Sequence, residues 1–127
     1  MEMTWLDRSN YLRGLLLLVR QNNEVKDEEF CMIMKIGERL GFAHDFCNGA
    51  LKDILDNEHI VDEPPKFSSK GVAEEFVKEG VKLAIVDNDL DLKELEWIDS
   101  VVRENELEEE WRLHQVEYFN ESFANIN

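Results

Sequence analysis

The sequence predicts an all-α domain of six helices in two related halves, and three observations lead there. β-branched residues are sparse beside Leu, Glu and Lys, with two prolines and six glycines in 127 residues, a composition that favours helix over sheet. Apolar residues recur at helical spacing along most of the chain. The pattern also repeats at 65 residues, which lays LLLLVRQNNEVKDEEFCMIMKI, from Leu15, on GVKLAIVDNDLDLKELEWIDSV, from Gly80. Leu18 then falls on Leu83, Val25 on Leu90, Glu29 on Glu94, Ile33 on Ile98 and Ile36 on Val101. Such a repeat predicts one domain over 1–127, built from halves at roughly 9–58 and 70–123 that bury apolar faces against each other.

The first helix carries Trp5, Leu6, Tyr11, Leu12, Leu15, Leu16, Leu18 and Val19 and ends near residue 21. Phe30, Ile33, Met34, Gly37 and Leu40 mark the second, and Phe46, Ala50, Leu51, Ile54 and Leu55 the third. HIVDEPPKFSS then breaks the pattern, because Pro64 and Pro65 cannot continue a helix and push Glu63 extended. The fourth helix starts near Ser69 and turns Val72, Phe76, Val77, Val81, Leu83 and Ala84 inward. The fifth runs from Asp91 to about Arg103, with Leu95, Ile98, Val101 and Val102 inward. Asn105 opens the sixth, which carries Leu107, Trp111, Val116, Phe119 and Phe123. Asp91 with Glu94, and Asn105 with Glu108, have capping-box spacing. Trp97 and Trp111 match Met32 and Phe46 in the repeat, so all four are expected inward.

The formal charge is −15, from 29 acids against 14 bases. That field repels nucleic acid and anionic membranes and attracts cations or basic partners. Residues 87–110 hold eleven of the acids against Lys93 and Arg103 alone, the composition of a solvated acidic face. Cys31 and Cys47 have no CxxC spacing and lie among apolar neighbours, which makes them packed or partly exposed thiols rather than ligands. MEMTWLDRSN lacks the basic region and cleavage site of a leader, and LLLLV at 15–19 is too short to cross a bilayer. A cytoplasmic location is expected. His44, His59 and His114 form no HExxH pair. No nucleophile elbow, P-loop or dinucleotide fingerprint appears, so an enzyme is not expected.

The stretch VDNDLDLKELEW sets Asp87, Asp89 and Asp91 on alternate positions just before the fifth helix. Hard cations want carboxylate and carbonyl oxygens, and alternate acids in a tight loop converge on one ion. An EF-hand is excluded: its sixth and twelfth positions, Gly and Glu, are here Leu92 and Ile98. Capping explains Asp91 and Glu94, and an Asx-turn explains Asp87. Neither explains Asp89, and Leu90 is expected to pin the loop to the core.

VDNDLDLKE, its earlier counterpart QNNEVKDEE at 21–29, and ERLGF at 38–42 together resemble the TerB-like family of tellurite-resistance proteins, over roughly residues 9–120. The resemblance implies an all-α domain of two pseudo-symmetric halves, with clustered acids that bind a divalent metal. Carried over position by position, Asp87, Asp89 and Glu94 are the metal ligands of the second copy, and Glu24 and Glu29 those of a degenerate first copy. Asn22 stands where the family has its first aspartate, and Asn88 where it has glycine. The function so implied is a small binding module that holds a divalent cation, Ca²⁺ or Mg²⁺, in stress or metal-related physiology. The alternative is a metal-independent interaction module that recruits a basic protein partner or forms a homo-oligomer.

Overall fold

The structure, a computed structural model, describes residues 2–87 and 91–126, with side chains described through residue 121. Six helices and no strand occur among them: α1 (Trp5–Arg20), α2 (Asp27–Arg39), α3 (His44–Asp56), α4 (Lys70–Ile85), α5 (Leu92–Glu104) and α6 (Glu108–Ile126). Each of α1, α2 and α3 packs on the other two, and so does each of α4, α5 and α6. The groups join chiefly through α1 against α4. Leu15, Leu17, Leu18, Val19, Phe76, Val81, Leu83 and Ile85 are fully buried along that seam. A helix buried nearly all round reads as the apolar run that LLLLV is.

Local chemistry recurs at the 65-residue spacing. Thr4 caps α1 by accepting from Asp7 N, and Ser69 caps α4 by accepting from Val72 N. After α2, Phe42 N donates to Gly37 O at 2.9 Å; after α5, Leu107 N donates to Val102 O at 2.9 Å. This six-to-one closure needs a left-handed residue just past the helix. Gly41 supplies it at φ 94° and Glu106 at φ 55°. The spacing slips by one at the third helix, since α3 starts at His44 and α6 at Glu108.

Several expectations are corrected. Asn105 does not open the sixth helix. It ends α5, and its buried side chain accepts from Phe67 N at 2.9 Å and donates to Pro65 O at 2.8 Å and Val101 O at 2.9 Å. Its amide fastens the connector, and Trp111 N bonds to Leu107 O instead as α6 begins. Phe46, Leu55 and Val116 are exposed, as are Trp5 and Leu6. On α3 the inward stripe is Cys47, Leu51 and Ile54. Phe46 and Leu55 sit about 80 to 100° to either side of it at ~100° per residue. Val116 lies on the side of α6 away from buried Tyr118. Leu95 is half-buried rather than inward. Trp97 is buried, while Met32 and Trp111 are partly buried against the core. Leu90, Asp89 and the Phe123 side chain lie outside the described residues.

Two side chains that read as minor in the sequence set the packing. A Cβ at Gly37 would stand 2.4 Å from Cys47 Sγ, so glycine there lets α3 close on α2. Phe67 leaves the connector to lie 5.2 Å from Phe76 and 6.0 Å from Tyr11, centroid to centroid.

Candidate functional site

At one end of the bundle α1 and α4 finish and α2 and α5 begin, so the two inter-helix loops lie side by side. Lys26 Nζ of the first loop is 3.2 Å from Asp87 Oδ2 of the second. Asn22 Nδ2 of the first loop donates to Glu94 Oε1 of the second half at 3.5 Å. Lys26 with Asp87, and Asn22 with Glu94, therefore join the described parts of the two loops in one corner.

Local rules position each carboxylate. Glu29 and Glu94 each occupy the third position of a helix, α2 and α5. Glu29 Oε1 accepts from Lys26 N at 3.1 Å, the returning half of a capping box. The ammonium of Lys26 cannot accept the other half. Asp91 caps α5 by accepting from Lys93 N at 2.8 Å and Glu94 N at 3.4 Å. In the first loop Asn22 Oδ1 accepts from Glu24 N at 3.2 Å, an Asx-turn, and Asn23 takes φ 59°, which asparagine tolerates. Asn22 thus closes the first loop in the way expected of its counterpart Asp87, whose own turn runs into residues outside those described.

The corner is dry on its inner side. Glu29 is 1% exposed and Glu94 2%. Asp87 keeps 8% of its side-chain surface and Lys26 34%, so the ammonium covers the carboxylates from the solvent side. Burial pushes the Glu29 carboxyl up to about 7, with the charges of Asp87 and Glu24 adding to the rise. The Lys26 amide and ammonium oppose it, as does the positive end of the α2 dipole. Near neutral pH Glu29 is poised between its two protonation states.

Of the expected ligands, Asp87, Glu94 and Glu29 lie at this end of the bundle without converging on one point, while Glu24 is exposed. No three His, Cys, Asp or Glu side chains among the described residues gather closely enough to hold a metal ion. Sequence reasoning missed Lys26. Lys26 is the one base in QNNEVKDEE, yet its pairing with Asp87 of the other loop is a tertiary contact that no local pattern announces. Compared with protein-family models, curated proteins and solved structures, the chain matches none of them.

Proposed function

We propose that the chain is a small, non-catalytic binding module that takes up a divalent cation, Ca²⁺ or Mg²⁺, at the corner formed by its two inter-helix loops. The observation that supports this is the burial of two glutamates, Glu29 and Glu94, at the end of the bundle where Lys26 of one loop pairs with Asp87 of the other. Carboxylates are costly to bury as anions, and a divalent ion offsets that cost with its own charge. The TerB-like resemblance of VDNDLDLKE points the same way, toward a cytoplasmic module of metal or stress physiology.

On this reading Lys26 is the cation that gives way to the ion. Ion entry drives the ammonium outward and expels the Glu29 proton. Calorimetric titration with CaCl₂ and MgCl₂, beside melting curves at matched ionic strength, tests it. The expected result is a saturable rise in melting temperature, worth about 2.7 kcal/mol at a hundredfold excess over Kd. Proton release should register as a buffer-dependent heat. Asp87→Asn and Glu94→Gln should abolish the rise. An equal rise in both variants means general screening of the acidic surface, and the proposal fails.

A further inference from the structure

A groove of about 400 Å³ runs between α1 and α3. Its floor is Leu12 and Leu16, one wall is Phe46, Ala50 and Ile54, and the other is Ile60 and Val61 of the connector. We propose that this groove docks a basic amphipathic helix of a partner protein. The proposal goes beyond the cation reading and does not depend on it.

The groove is preformed. Arg13 Nη2 donates to Val61 O at 3.0 Å, and Arg20 donates to Ile54 O and Asn57 O, both at 3.0 Å. Trp97 Nε1 donates to Asp62 Oδ1 at 3.1 Å. These bonds hold the connector wall open before anything binds, so little ordering is left for the complex to bear.

Its apolar surface is continuous. Phe46 is 57% and Val61 61% exposed, facing each other across the opening. Phe46 stacks on Phe42 at 5.3 Å and 17°, and Phe42 meets Trp5 at 5.3 Å. Scattered exposed apolar side chains need no explanation, whereas a concave, connected set marks an interaction site.

Shape and charge choose the occupant. Phe46, Ala50 and Ile54 recur every four residues, which spans about 12 Å along α3 at ~1.5 Å per residue. Two turns of a helix fit that length with anchors at i, i+3 or i+4, and i+7. The groove itself is lined by one acid, Asp53, and one base, Arg13, the latter bonded to Val61 O; Asp45 and Asp56 flank Phe46 and Ala50 outside it, and segment 44–63 as a whole holds six acids against Lys52. A surrounding field of −15 repels a second copy and an anionic bilayer, and draws a basic helix.

The test uses the full chain in EDTA, which removes any divalent cation from the acidic corner. The probe is a fluorescent Leu/Lys peptide of about 18 residues, with a scramble of equal composition that breaks the apolar stripe. The expected result is saturable binding of the striped peptide, weakened by added salt, and at least about tenfold weaker binding of the scramble. Phe46→Asp and Ala50→Arg should each lower affinity about tenfold or more. Val116→Asp on α6 should leave it unchanged, with circular dichroism confirming the fold of all three. Equal binding of the scramble, or full binding by Phe46→Asp, overturns the proposal. So does a chain whose self-association, or capture on phosphatidylcholine vesicles, is what Phe46→Asp abolishes.

Discussion

Lys26 Nζ and Asp87 Oδ2, 3.2 Å apart, join the two inter-helix loops across the seam of the molecule. Exposed ion pairs contribute little, but here Asp87 is mostly enclosed and lies beside two buried glutamates. Removing the base leaves buried charge uncompensated, which costs more than the pair itself contributes. Lys26→Met should therefore lose about 1 to 2 kcal/mol in chelator. If the corner takes up a cation, the variant should recover with CaCl₂ and gain more from it than the parent chain does. Urea melts with and without CaCl₂ measure both effects. Equal stability of variant and parent in chelator would show that the ammonium is irrelevant to the buried acids.

Glu29 makes stability depend on pH in a stated direction. Its folded value, about 7, lies above the ordinary 4.5, so between those values the native state holds a proton that the unfolded chain releases. Its contribution is full below pH 4.5 and is lost as pH rises through 7. Asp7 works in the opposite sense. Against the opposing effect of burial, hydrogen bonds from Ser68 and Thr4 hold its carboxyl below 3.8, so its contribution is lost in acid. Glu29→Gln keeps an acceptor for Lys26 N without the charge. It should flatten the decline between pH 5 and 8 and raise stability at pH 8 by about 1 to 3 kcal/mol. A decline as steep as the parent's would place its cause elsewhere among the acids.

The helices were legible because their apolar spacing, caps and breaker residues are local properties. Ser69 and Asp91 cap as their neighbours dictate, and Pro64–Pro65 stops the chain where expected. The composite corner was only half legible. Each loop announces itself, but that two loops 65 residues apart share one set of contacts is tertiary information. Phe46, Leu55 and Val116 were misplaced for a simpler reason: an apolar residue at the edge of a helical stripe carries no mark of which side it falls on. In the case of Phe46, the error lies at the proposed docking groove, where local consistency gives way.

Asn105 shows how a capping motif misleads. The Asn105–Glu108 spacing suits an N-cap, yet the amide serves three partners of the connector and α5. Asn105→Ala strands the Phe67 N–H and the Pro65 carbonyl, while Val101 O keeps the Asn105 backbone N–H, and should cost about 2 to 4 kcal/mol by urea denaturation. Asn105→Asp should be worse at neutral pH, because its carboxylate faces the oxygens of Pro65 and Val101. It should also regain stability as pH falls and a proton restores a donor. Insensitivity of both variants would mean that the connector is held by Phe67 packing alone.

Both tyrosines are held in their neutral form. Burial raises the Tyr11 phenol far above 10, and the Glu79 carboxylate that accepts its hydrogen bond at 2.5 Å raises it further. Burial also raises Tyr118, whose hydroxyl donates to Glu74 Oε1 at 2.7 Å. A phenol raised in the fold keeps its proton where the unfolded chain loses it, so both residues subtract stability as pH climbs past 10. The chain has only these two tyrosines. The ultraviolet phenolate band should therefore stay silent until the helices melt, then rise in one step with the loss of circular dichroism. Tyr11→Phe and Tyr118→Phe should each halve the step and move it to higher pH, because each removes a proton whose release drives unfolding. A gradual phenolate signal near pH 10 with the helices intact would show that the phenol concerned is open to solvent, and the single-tyrosine variants would reveal which one.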